Sequence, residues 1–146
     1  MNNSYQILKD KQQKEFNKFP IGAAFNNKQF NEMLEQWSLL PTDTDKILHI
    51  GAGCYIRKSD KDAYLNMKRK HIKEMELAID EDATGDGFIF DMFLYELANH
   101  EYCITYELDD TLDALGFTEE EIHEDERLSH GLDKAISQYL KNTNEY

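Results

Sequence analysis

Asp80, Asp82, Thr84, Asp86 and Asp91 form the sharpest local motif in the chain, a run of oxygen donors between two helix-like stretches. Calcium takes about six to eight oxygens from a flexible loop, and an EF-hand supplies them from fixed loop positions with a glycine at the sixth. Counting from Asp80, Asp82 and Thr84 fall on the third and fifth positions, Gly85 on the sixth and Asp91 on the twelfth. The match is degenerate. Thr84 is a weaker donor, Asp91 is shorter than the usual bidentate Glu, Gly87 replaces a β-branched residue, and no second loop is present to pair with this one. Calcium or small-ligand binding at this loop is one reading. An acidic, glycine-containing connection between helices is the plainer one.

Nucleophilic chemistry has thinner support. Asn99-His100-Glu101 is followed closely by Cys103, and a Cys–His pair reacts only if the fold brings the two side chains within hydrogen-bond reach. A histidine that closes a helix by bonding its last carbonyls is the commoner arrangement. The other histidines, His49, His71, His123 and His130, are scattered without metal-ligand spacing, and Cys54 and Cys103 lack a Cys-x-x-Cys neighbour. Two reduced, buried thiols are therefore expected. Gly51-Ala52-Gly53 is only a fragment of a dinucleotide fingerprint and is followed by strand-forming residues instead of a helix.

The carboxylates themselves carry more information. Glu74 to Glu126 holds 19 of the chain's 29 acidic residues and no Lys or Arg, while the remaining residues carry all 16 basic side chains. The net charge of −13 is thus a strongly anionic segment joined to mildly cationic flanks. Such a surface is repelled by nucleic acid backbones and anionic lipid, so direct binding to either is not expected. It is suited to a basic protein, with fast and salt-sensitive association. The exposed candidates are Asp109, Asp110, Asp113, Glu119, Glu120, Glu121, Glu124 and Asp125, although acidic residues in first helical turns also complement the helix dipole. The basic run Arg57 to Lys73 is expected to pair with part of the acidic segment.

These residues need elements to hold them. A chain of 146 residues with 8 Phe, 8 Tyr and one Trp suits a single globular domain over 1–146. Residues 1–18 read as an N-terminal helix, with no apolar leader, and Pro20 stops it. Ile21 to Phe25 reads as a short buried strand, and Asn26 or Asn27 caps a helix with Phe30, Met33, Leu34 and Trp37 inward, closed by Pro41. Ile47 to Ile50 and Cys54 to Ile56 read as strands about a glycine turn or bulge. Ser59 or Asp60 begins a long helix to about Ile79, with Tyr64, Ile72, Met75 and Ile79 inward. Phe88 to Ala98, apolar nearly all round, reads as the buried centre. Tyr102 to Leu108 has some strand character. Helices follow from Asp109 to Gly116, from the capping box Thr118-x-x-Glu121, and along the stripe Leu128, Leu132, Ala135, Ile136, Tyr139 and Leu140, with a frayed tail at 141–146. The expected fold is α+β, with five or six helices packed on a small sheet of two to four strands. No stretch approaches the length of a membrane helix, and a cytoplasmic protein is expected.

Phe19-Pro-Ile-Gly-Ala-Ala-Phe25 with Gln29-Phe30, then Ile50-Gly-Ala-Gly-Cys-Tyr-Ile-Arg-Lys58, resemble segments of an uncharacterised family. So does Phe90 to Tyr102 running into Asp109-Asp-Thr-Leu-Asp-Ala-Leu-Gly116. The family comprises small acidic proteins encoded by bacteriophages and mobile genetic elements of gut-type bacteria. The resemblance covers about Phe19 to Ala135 and brings no activity, cofactor or catalytic residue with it. It implies a genomic setting in which small acidic proteins often inhibit host nucleases and defence complexes, some as nucleic-acid mimics. The expectation is accordingly a non-enzymatic interaction protein that needs no cofactor and binds a basic, nucleic-acid-handling partner.

Overall fold

The computed structural model describes residues 3–102 and 107–143. Among these, seven α-helices and a three-stranded antiparallel sheet make an α+β fold. In chain order they are α1 (Ser4–Lys18), β1 (Gly22–Ala23), α2 (Asn27–Gln36), β2 (Ile47–Gly51), β3 (Cys54–Arg57) and α3 (Lys61–Glu81). Then come α4 (Phe88–Asn99), α5 (Asp109–Leu115), α6 (Glu119–Glu124) and α7 (Glu126–Thr143). The chain gathers into two units, Met1–Lys11 with Glu74–Tyr146, and Gln12–Lys73, so that the division falls within α1 and α3.

The Gln12–Lys73 unit holds the sheet, in the order β1-β3-β2. β2 and β3 join through Ala52-Gly53, both with positive φ (51° and 72°), which is the twist-matched two-residue hairpin turn. Its register slips between His49 and Gly51, so the glycine segment supplies both the turn and the bulge expected of it. α2 starts on Asn26, whose side chain accepts the Gln29 N–H at 2.8 Å. Met33 and Leu34 are buried beneath it, with Phe30 and Trp37 packed alongside. Pro41 is not what ends α2. Ser38 adopts φ 57°, and the N–H groups of Ser38 and Leu39 return to the carbonyls of Glu35 and Leu34, closing the helix in a Schellman motif four residues early.

Two further expectations fail in this unit. The strand expected over Ile21 to Phe25 shrinks to two residues, and Phe25 is 74% exposed, its ring lying over Gly53. Ile72 is 59% exposed, while His71, seven residues after Tyr64 and so on the same helical face, takes the buried place. A charged partner makes that histidine tolerable: His71 Nε2 lies 3.0 Å from Glu15 Oε2, which also receives Lys70 Nζ at 3.2 Å. Arg57 pairs with Asp60 at 2.9 Å. Within this unit the basic run thus finds neighbours from Gln12–Lys73 itself.

The other unit is helix on helix. α4 is its centre, as its all-round apolar sequence requires: Ile89, Met92, Phe93 and Leu97 are buried, and Leu112, Ile122, Leu128, Leu132, Ala135 and Tyr139 close around them. Within this unit the helices cover one another, because an all-round apolar helix needs apolar partners on every side. Gly131, midway along α7, lets that helix approach: a Cβ there would stand 2.5 Å from Ile89 Cγ2 and 2.8 Å from the Gly85 carbonyl oxygen. The strand character of Tyr102 to Leu108 falls mainly on residues outside those described, as does the frayed end of the tail. Among the described residues no helix is long and apolar enough to cross a membrane.

Candidate interaction surface

α5 and α6 carry most of the candidate carboxylates, and their local chemistry fixes which way those point. Leu112 and Thr111 are buried on α5, the Thr111 hydroxyl donating to the Glu96 carbonyl at 3.4 Å. Gly116 then turns with φ 75°, and the Phe117 N–H returns to the Leu112 carbonyl. Thr118 opens α6 with the capping box its sequence announces: its hydroxyl oxygen accepts the Glu121 N–H at 3.1 Å while Glu121 reaches back. Ile122 is the single buried residue of α6. Two short helices, each pinned inward by its apolar residues, must present Asp109, Asp110, Asp113, Glu119, Glu120, Glu121 and Glu124 to solvent, and all seven are exposed.

The eight candidates then divide. Glu121 belongs to the capping box. Asp125 is an organiser of the chain: its carboxylate accepts the Arg127 N–H at 3.0 Å and the guanidinium at 3.1 Å. Arg127 in turn donates to the Ile79 and Asp82 carbonyls at 3.0 and 2.9 Å. The Arg127 hydrogen bonds hold the Asp125 carboxyl below the ordinary carboxylate range. Asp125 is therefore committed within the fold and is not a free docking group. Among the described residues, Asp109, Asp110, Asp113, Glu119, Glu120 and Glu124 have no Lys or Arg within ion-pair distance. Asp113 and Glu124 even stand in the last turns of their helices, where the negative end of the dipole opposes them.

Beside these carboxylates α5, α6 and α7 enclose a groove of about 240 Å³. Leu112, Ile122 and Leu132 form its floor, with Leu108 and Ile136 partly exposed at its sides. Glu119 and Asp133 stand on its rim, next to His123. Sequence periodicity marks each leucine as core but does not show that three helices leave a gap above them.

The loop between α3 and α4 is organised by its carboxylates. Asp82 accepts four backbone N–H groups: Thr84 and Gly85 on Oδ1 (3.3 and 2.9 Å), Gly87 and Ile89 on Oδ2 (3.1 and 3.0 Å). Partial burial works against its ionisation, but these donors overcome it and hold its pKa below the usual value. Asp86 is bound by His130 Nε2 at 2.7 Å and Lys134 Nζ at 2.9 Å. Asp91 turns to the start of α1, accepting the Ser4 N–H and hydroxyl at 2.9 and 2.6 Å. Asp80 lies within α3, and the Thr84 hydroxyl accepts the Asp86 N–H. The carboxylates of Asp82, Asp86 and Asp91 thus meet N–H, O–H and cationic donors from different elements. The loop is a cap for α4.

The residue that sequence reasoning missed is Glu96, inside the largely apolar stretch of α4. It is 2% exposed, accepting the Tyr5 hydroxyl at 3.0 Å and Lys9 Nζ at 3.2 Å on Oε1, with His100 Nε2 3.2 Å from Oε2. The signal available was its phase: Glu96 follows Met92 by four residues and so shares the buried face. His100 is thus engaged one turn back along its own helix, while Cys103, its suggested catalytic partner, lies outside the described residues. Cys54 is half-buried instead of buried, with Sγ 3.8 Å from the Ala52 carbonyl.

The profile of a known protein family matches residues 4–138, nearly the whole chain. The chain belongs to this family of unknown function (DUF7659). No curated protein and no solved structure matches it.

Proposed function

We propose that this is a non-enzymatic interaction protein whose α5–α6 surface docks on a basic protein, of the kind that ordinarily holds a nucleic acid backbone. One observation carries the reading. The acidic segment includes carboxylates answered from within the fold, such as Asp82, Asp86, Glu96 and Asp125, and a group on α5 and α6 that no described cation answers. Clustered, exposed like charges repel one another and cost the folded state free energy. A surface kept at that cost is suited to a partner that brings the missing cations. The partner's phosphate-binding residues would meet carboxylates spaced along two short helices, and inhibition by occupancy follows. The family resemblance set out above, with its bacteriophage and mobile-element setting, favours a nuclease or defence complex as that partner.

The test is affinity capture from a nuclease-treated bacterial lysate at low and moderate salt, beside a variant carrying Asp110→Asn, Asp113→Asn, Glu120→Gln and Glu124→Gln. A basic nucleic-acid-handling protein held by the parent, lost by the variant and displaced by duplex DNA is the expected result. If parent and variant retain the same proteins, the acidic surface is not a docking site.

A further inference from the structure

The geometry points to an apolar anchor: we propose that the groove between α5, α6 and α7 seats a leucine-sized side chain from a Lys- or Arg-rich segment of the partner. This rests on the docking reading above and specifies what that surface recognises, an amphipathic cationic peptide and not charge alone.

Three features argue for that occupant. At about 240 Å³ the groove falls below the roughly 300–1,000 Å³ typical of small-molecule sites, and it suits one or two side chains. Its floor of Leu112, Ile122 and Leu132 offers no hydrogen-bonding side chain, so a side chain that reaches the floor is apolar, while Ser129 and His123 also line the groove. Its rim carries Glu119 and Asp133, both exposed and without a described cation, and the α5 and α6 carboxylates continue outward from there. A side chain reaching the floor must therefore be flanked by positive charge. A helix laid in a groove, with apolar anchors on one side and cations on the other, has this pattern. A second copy of the chain does not, since two surfaces from a protein of net charge −13 repel. The two parts of such a contact do different work. Charge on the rim sets the rate of encounter and its salt dependence, whereas a buried anchor sets the lifetime and the choice of partner.

The experiment uses the full chain and two fluorescein-labelled lysine-rich helical peptides, alike except that one carries leucine and the other alanine at two positions four apart. Fluorescence anisotropy should show the leucine peptide bound about tenfold more tightly, the gain expected from burying one such side chain. Glu119→Gln with Asp133→Asn should weaken both peptides. Ser129→Leu, which extends a side chain from the groove wall, should remove the leucine peptide's advantage and leave the alanine peptide unchanged. Methyl NMR of the unaltered protein gives an independent reading: Leu112, Ile122 and Leu132 should shift with the leucine peptide and not with its counterpart. Equal affinities for the two peptides would overturn the groove and leave the electrostatic reading standing. Binding of neither peptide at low salt would overturn both. A leucine advantage that Ser129→Leu leaves intact, with the floor methyls unmoved, would place the anchor elsewhere. A dimer in sedimentation that Ser129→Leu abolishes would assign the groove to self-association and sink the proposal.

Discussion

Glu96 shows how much one buried side chain can decide. An ionised carboxylate in an apolar helix interior is costly unless its oxygens are matched, and here Tyr5, Lys9 and His100 match them. The reverse dependence is as strong. Removing the carboxylate strands the hydroxyl of Tyr5, itself 4% exposed, and an unsatisfied buried group costs about 1–3 kcal/mol. Removing the hydroxyl forfeits a bond worth about 0.5–1.5 kcal/mol. Glu96→Ala should therefore destabilise more than Tyr5→Phe in urea unfolding, with the double variant costing less than the two single changes added together. The same pair sets an alkaline limit. Burial, and then the Glu96 charge and hydrogen bond, raise the Tyr5 pKa above its ordinary value. The unfolded chain ionises there at about pH 10, so this stability is full below that pH and declines as pH rises through it. Tyr5→Phe should flatten the loss of stability as pH rises above about 10. An unchanged slope would mean that Tyr5 is not held neutral by its surroundings.

Elements were legible where a single physical rule decides them. The capping box at Thr118, the left-handed Gly116 and the all-round apolar α4 each rest on a local or periodic signal, and each stands where that signal puts it. The failures lie where the sequence left two options level. Ser38 ended α2 before Pro41 was reached, and His71 displaced Ile72 from the buried face of α3. Asp82 is a different case: its oxygens meet N–H groups that only the completed loop brings together, which spacing alone does not show. Of the candidate surface, the exposed acids of α5 and α6 could be read in advance, whereas the groove could not, because it is a gap between helices and belongs to no one of them. Gly131 makes the same point as a measurement. In an isolated helix Gly→Ala gains roughly 0.5–1 kcal/mol. At this position the new methyl meets Ile89 and the Gly85 carbonyl, and overpacking costs about 1–3 kcal/mol. Gly131→Ala should thus lower stability, despite improving α7 taken alone. An increase in the urea midpoint would show that α4 and α7 are not in the close contact described.

At the scale of the whole molecule the charge distribution is the main constraint. Nineteen carboxylates fall in one stretch without a Lys or Arg among them, and those of α5 and α6 find no cation among the described residues. Some of this repulsion is offset where acids stand in first turns, as Asp109, Asp110 and Glu119 do, since the positive end of a helix is worth about 0.3–1 kcal/mol to each. Asp113 and Glu124 have no such offset and oppose the dipole. Neutralising them as Asp113→Asn with Glu124→Gln should therefore raise the thermal midpoint at low salt. Screening shortens from about 30 Å at 0.01 M to about 3 Å at 1 M salt, so added sodium chloride should raise the parent's midpoint and narrow its gap from the variant. Both shifts have the sign of relieved repulsion, and calorimetry across a salt series reads them directly. A variant less stable than its parent, by a margin that salt erases, would show that the two carboxylates are held by cations within the fold. The acidic surface would then already be satisfied within the fold and would await no basic partner.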